Sequence, residues 1–219
     1  MSKSLYFCLA LKLFSYSMSA NPTIKDDLFQ EQVIRAAQQL FQQHGMYKVT
    51  MDDVAKAVGK GRSSLYYYYK SKEEILDAVI DTEISEIITG ITQAVDKETT
   101  VEGKIRAFCA TKLKALQKRK ALYSTVDIDA DEMVYRAKAA LTIRQRYRKQ
   151  EGALLSQILV FGVNKGELRP LDQKDQDVLF FVLFSGLKGL IKEMEFEKEE
   201  DLESAINTLS HLIVHGLKK

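Results

Sequence analysis

Proline is nearly missing from this chain: Pro22 and Pro170 are the two that occur in 219 residues. Apolar residues recur at three- and four-residue spacing almost throughout, while alternating runs bounded by turn residues are scarce. Together these exclude a β-rich fold and predict an all-α protein. Cysteine is equally sparse. Cys8 and Cys109 are too few and too far apart for a disulfide framework or a zinc knuckle, a usage that fits a reducing compartment. Cys109 reads as a small buried apolar residue. No apolar run reaches the roughly 20 residues that a membrane span needs. A glycine-rich phosphate loop and a nucleophile elbow are also missing, so the chain is not read as an enzyme and no cofactor is expected. Of three histidines, His211 and His215 stand four apart on one helical face. No cysteine or third histidine accompanies them, and no metal site is expected.

What is there is enough for a folded body. With 46% hydrophobic and 28% charged residues the chain is not disordered, and it can bury one large core or two smaller ones. A net charge of +2 says little about partners, because any basic patch must be local. It is local: between residues 54 and 72 the cations Lys56, Lys60, Arg62, Lys70 and Lys72 are not interrupted by a single acid.

Along the chain, the first twenty residues carry an apolar stretch too short to span a bilayer, and three readings compete: a signal peptide, an ordered accessory segment, or translated sequence upstream of a start at Met18. The start at Met18 is preferred, because the helical pattern begins just after it. Residues 21–72 form one unit with three capped helix starts, at Thr23/Asp26, Thr50/Asp53 and Ser71/Glu74. Its first helix packs through Phe29, Val33, Ala36, Ala37, Leu40 and Phe41 and stops at Gly45. Two short helices joined by Gly59-Lys60-Gly61 follow, with Arg62 opening the second.

Residues 73–219 continue as long helices, with a break expected near 118–121. Asp127, Asp129 and Asp131 copy the opening of a calcium loop. Glu132 stands at the glycine position and Lys138 at the twelfth, which excludes it. From Val178 to Phe184 every residue is apolar, so that helix must be covered on all sides. One face is expected on its own core and another on a second copy of the chain. Phe181, Phe184, Ser185 and Gly189, with Leu202, Ile206, Leu209 and Ile213 on the last helix, are the expected dimer interface.

The second short helix has the chemistry of a nucleic-acid reader. In a helix-turn-helix, side chains near the start of the second helix reach base edges in the major groove. Arg62 is there, with a planar fork suited to guanine O6 and N7. Ser63 and Ser64 are short enough to let the helix sit deep. Lys72 lies in the first turn of the next helix, where free backbone amides already favour a phosphate. Successive tyrosines turn by roughly 100°, so Tyr69 is expected in the core and Tyr66, Tyr67 and Tyr68 at phosphates.

The run VGKGRSSLYYYYKSKEEIL over residues 58–76 resembles the DNA-binding signature of the TetR family of bacterial transcription regulators. The likeness extends back through Thr50-Met-Asp-Asp-Val-Ala and Phe41-Gln-Gln-His-Gly, about fifty residues in all. Gly166-Glu-Leu-Arg-Pro170 resembles the family more weakly. The resemblance implies an N-terminal three-helix DNA-binding domain and a C-terminal helical domain that binds a small molecule and dimerises through its last two helices. The protein would be a cytoplasmic homodimeric repressor, released by its effector from a palindromic operator. By position, Thr50 would meet a phosphate, Arg62 and Ser63 would read bases, and Ser64 and Tyr66 would lie between base and backbone. Tyr67, Tyr68 and Lys72 would hold phosphates. Lys60, Gly61 and Asp52 depart from the common pattern, and Asp52 is assigned no contact. Phe108, Tyr123, Tyr147 and Phe161 are candidate effector-site residues, each read equally as ordinary core, and as a set they suit an apolar or amphipathic ligand.

Overall fold

The computed structural model describes residues 24–123, 130–193 and 199–218, and side chains within 26–118, 145–190 and 202–218. Residues 1–20, the cap at Thr23, Asp127, Asp129 and the side chain of Tyr123 lie outside them. Among the described residues the chain is all-α, with eight helices: α1 (Ile24–His44), α2 (Met51–Ala57), α3 (Arg62–Tyr68), α4 (Lys72–Asp96), α5 (Val101–Tyr123), α6 (Ala130–Asn164), α7 (Gln173–Glu193) and α8 (Glu199–Leu217).

Two apolar clusters organise these helices, and α4 belongs to both. Val33, Ala37 and Phe41 of α1, Met51, Val54 and Ala55 of α2, and Leu65 of α3 close the head against Ile75, Leu76, Val79, Ile80 and Ile84 of α4. Farther along, Ile91 and Val95 of the same helix join the body, with Ile105, Phe108 and Leu113 of α5, Leu154, Leu155 and Ile158 of α6, and Leu187 of α7. The boundary expected after Lys72 therefore falls at the start of a helix whose first half is head core.

A second link comes from α6. Its Tyr147 packs in the head cluster, while Leu154 to Leu159 lie in the body. One turn of that helix also ties to α4 by charge, as Arg146 reaches Asp81 at 2.8 Å and Asp77 at 3.2 Å.

The break expected near 118–121 does not occur, and α5 continues to Tyr123. Lysine, arginine, alanine and leucine are good helix formers, and nothing in that stretch stops a helix. The expected loop ahead of Met133 is shorter, since α6 begins at Ala130. Gly162 and Gly166 close the other end of α6. A Cβ at Gly162 would come within 2.7 Å of both Leu168 and Val101, so α6 approaches the start of α5 only because that carbon is missing. Gly166 turns the chain at φ 73°, and Arg169 N–H then donates to the Leu217 carbonyl at 2.8 Å, tying the turn to the end of α8.

Candidate nucleic-acid interface

The geometry of α2 and α3 is set by their ends. Thr50 caps α2: its hydroxyl accepts from Asp53 N–H at 3.3 Å, and the Asp53 carboxylate accepts from Thr50 N–H at 2.9 Å. The Thr50 hydroxyl also donates to that carboxylate at 2.6 Å, and this bond first, then the one from Thr50 N–H, holds the Asp53 carboxyl below its ordinary value. At the other end Lys60 N–H reaches the Ala55 carbonyl and Gly59 N–H reaches Lys56, each at 3.1 Å, with Gly59 at φ 65°. This turn delivers α3 with its first residue, Arg62, beside the first turn of α2. Lys70 finishes α3, its Nζ donating to the Tyr66 and Tyr67 carbonyls at 2.9 and 3.2 Å. Only half of the cap expected at Ser71 is a box. Its hydroxyl accepts from Glu74 N–H, but the Glu74 carboxylate takes Lys70 N–H instead.

Leu65 alone is fully buried in α3, and Arg62, Ser63 and Ser64 are exposed. The four tyrosines divide. Tyr69 is core, as expected. Tyr67 is 75% exposed and lines a shallow surface groove with Lys60, Ser63 and Ser64. Tyr66 is half-buried beside Arg62, whose guanidinium carbon sits 5.5 Å from the ring centre. Tyr68 is engaged within the chain: its hydroxyl donates to Asp26 of α1 and its ring packs on Phe29 at 5.0 Å. The bond to Asp26, helped by burial, pushes the phenol up to about 12. Lys72 is also engaged, donating to the Tyr47 carbonyl at 3.0 Å.

Asp52, assigned no contact from the sequence, and Asp26, expected only as a cap partner of Thr23, both touch the interface. Arg62 Nε lies 3.1 Å from Asp52 Oδ1, and its Nη2 contacts the Tyr66 hydroxyl at 3.4 Å. The Tyr66 hydroxyl first, then the Asp52 charge, make the guanidinium hold its proton more tightly than usual. The capping signal at Thr50 places Asp52 in the first turn of α2, but the side on which α3 returns is a tertiary fact.

In the body, Phe108 is fully buried in the core and Tyr147 belongs to the head cluster. Phe161 lies beneath the cations of Lys104 and Lys165, at 4.8 and 5.0 Å. A groove of about 420 Å³ opens between α5 and α8, with Ala107, Ala110, Leu202 and Ile206 beside Arg106, Lys114 and Glu203, and none of Phe108, Tyr147 and Phe161 lines it. Among the expected dimer residues, Phe184, Leu202 and Ile206 are core residues of the chain itself, because α7 and α8 pack inward through them. Leu209 and Ile213 are partly buried against the same core. Phe181, Ser185 and Gly189 face outward, next to Val178, Val182 and Gly186.

The sequence model of the bacterial regulatory proteins of the tetR family matches residues 33–79, which span the core of α1, the helix-turn-helix and the start of α4. Over those residues the chain is similar to regulators of the TetR family. Its likeness to TetR-type regulators runs beyond the head. The HTH-type transcriptional regulator YhgD of Bacillus subtilis, itself uncharacterized, is 26% identical over 84% of this chain and 94% of its own length. Two solved structures share the fold at lower identity. The fatty acid degradation regulator FadR from Bacillus halodurans is 22% identical, with a TM-score of 0.58 over 83% of this chain and 93% of that one. A transcriptional regulator from Cytophaga hutchinsonii is 20% identical, with a TM-score of 0.61 over 86% and 98%. The TetR fold thus accounts for both parts of the molecule, an N-terminal helix-turn-helix and a helical C-terminal domain.

Proposed function

We propose that the protein is a sequence-specific DNA-binding repressor that works as a homodimer in the bacterial cytoplasm and leaves a palindromic operator when a small molecule binds. The observation that carries this reading is the exposed start of α3, where Arg62, Ser63 and Ser64 stand clear of the core with Tyr67 behind them. Arginine there would read guanine, the serines would let the helix seat, and Thr50, Tyr67 and Lys72 would meet phosphates. Tyr66 would brace the reader. Tyr68, committed to Asp26, would meet a phosphate only by leaving that bond.

A second copy is supported by α7. Val178, Phe181 and Val182 are 56, 61 and 58% exposed on one stripe with Ser185, Gly186 and Gly189, and Leu212 of α8 is 63% exposed. An apolar stripe with small residues suits a two-fold interface in which backbones approach closely. Two heads related by that axis would enter successive major grooves about 34–36 Å apart. The groove between α5 and α8, lined by apolar Ala107, Ala110, Leu202 and Ile206 and by the charges of Arg106, Lys114 and Glu203, supports an amphipathic effector. Its route to the heads would be α6 and α4, coupled by Arg146, and the effector must prefer the spacing that does not fit DNA.

The test is a gel shift of the purified protein on DNA from upstream of its own coding region, at one stated salt concentration, against random duplex. A discrete complex that survives excess random competitor is expected. Binding that falls away with salt equally on both duplexes would instead mark a helical adapter whose basic face is only solvated.

A further inference from the structure

We propose that Asp52 is a positioning residue for base recognition: by holding Arg62 Nε it presents the Nη1 and Nη2 edge of the guanidinium to a guanine. This rests on Arg62 being the base reader. The two residues come from different helices, and the glycine turn between α2 and α3 brings them to 3.1 Å. The half-buried Tyr66 accepts from Nη2 at 3.4 Å, and its ring centre lies 5.5 Å from the guanidinium carbon. Arg62 is therefore engaged by a carboxylate and a phenol while its side chain stays 61% exposed.

The placement has a chemical consequence. An arginine can offer a carboxylate or base either its Nε edge or its terminal edge. With Asp52 on Nε and one Nη2 hydrogen on the Tyr66 hydroxyl, Nη1 and the second Nη2 hydrogen are what remain for DNA. Two parallel donors match guanine, which shows two acceptors in the major groove, and mismatch adenine, which pairs an acceptor with a donor. A guanidinium already held in one pose also loses less rotamer freedom when it binds.

Asp52 is otherwise hard to place on this surface. Cap duty at α2 falls to Asp53, and a second carboxylate there repels phosphates across a segment that has no further acid up to residue 72. Its side chain is 48% exposed, so it does not support the core. An acid that opposes binding to every DNA while fixing one arginine trades general affinity for preference.

The experiment begins by selecting an operator from random duplexes with the full wild-type chain. Affinities are then measured at one salt concentration for that operator with each base pair in turn at every half-site position, using wild type, Arg62→Ala, Asp52→Asn and the double variant. Arg62→Ala is expected to erase a guanine preference at one position per half-site. Asp52→Asn should weaken the same preference about three- to tenfold, while affinity for random DNA stays level or rises. In the Arg62→Ala background, Asp52→Asn should leave the preference unchanged, since the coupling is then gone. An Asp52→Asn protein with the full preference, or a greater one, would overturn the positioning role while leaving Arg62 as reader. An equal loss with and without Arg62 would overturn it too. Arg62→Ala with every preference intact would remove the base-reading role itself, and the inference with it.

Discussion

Among the described residues, the outer faces of α3 and α7 are both uncovered, and they are chemically opposite. The face of α3 is polar and cationic, with one buried leucine beneath it. The outer face of α7 is apolar, with two valines and a phenylalanine more than half exposed. A polar helix face gains little from a second protein surface and much from phosphates and base edges, whereas an apolar face is stable only when covered. On the proposed function the two helices would wait for different partners, DNA for α3 and another copy for α7. The rest of the chain would then fix the distance between one kind of face and the other.

Breaking the apolar face should have the largest effect. Phe181→Asp removes the same contact from both protomers, and burying a phenylalanine contributes about 1.5–3 kcal/mol each time, so self-association should weaken by about a hundred- to ten-thousandfold. Sedimentation at graded concentrations would measure it. The head should remain folded, and binding to a single half-site should be unchanged.

The connection between the faces can be tested inside the body, where Lys112 of α5 pairs with Glu151 of α6, the latter 2% exposed. Burial pushes the lysine down and the glutamate up, and each partner's charge opposes that shift. For a lysine lowered on folding, stability rises with pH up to its ordinary value. For a glutamate raised on folding, stability is greatest at low pH and is lost as pH climbs through the folded value. Lys112→Met alone should cost about 3–5 kcal/mol in urea unfolding, because it strands a buried carboxylate. Adding Glu151→Leu should recover most of that loss.

On the polar face, Lys72→Ala should weaken binding to operator and random DNA alike. The slope of log affinity against log salt should fall by about 0.9 per half-site, with base preference unchanged. An unaltered slope would mean that Lys72 serves only to hold the Tyr47 carbonyl. Smallest is Thr50→Ala, which removes the cap of α2 and should cost about 1 kcal/mol in thermal or urea unfolding. In the wild type the lowered Asp53 adds stability above its ordinary value of 3.8 that is lost as pH falls through the folded value. Thr50→Ala should bring that carboxyl back up, as carbon-detected titration of the side chain would show.

The same two faces separate what could be read in the sequence from what could not. The head was legible because its instructions are local. Thr50 with Asp53, Gly59 at a positive φ, and Leu65 inside a polar helix each act within a few residues, and the motif around them is specific. Tyr69 in the core followed from helical phase. What was missed there depends on residues far apart in sequence: Asp26 of α1 receiving the Tyr68 hydroxyl, and Tyr47 receiving Lys72. The body was legible only as a run of helices. Apolar residues on all sides of α7 implied two covered faces, but whether Phe184 or Phe181 looked outward depends on how α5 and α6 meet it. The aromatic residues expected near an effector are spread over the fold, with Phe108 in the body core and Tyr147 in the head cluster.

The central claim is that two heads read DNA at a spacing set by the bodies. The direct measurement is affinity for the selected operator before and after five base pairs are inserted between its half-sites. Half a turn of the helix, at about 10–10.5 base pairs per turn, puts the second half-site on the far side of the duplex. The expected result is a fall to the affinity of one half-site, and equal affinity for both duplexes would contradict a paired reader.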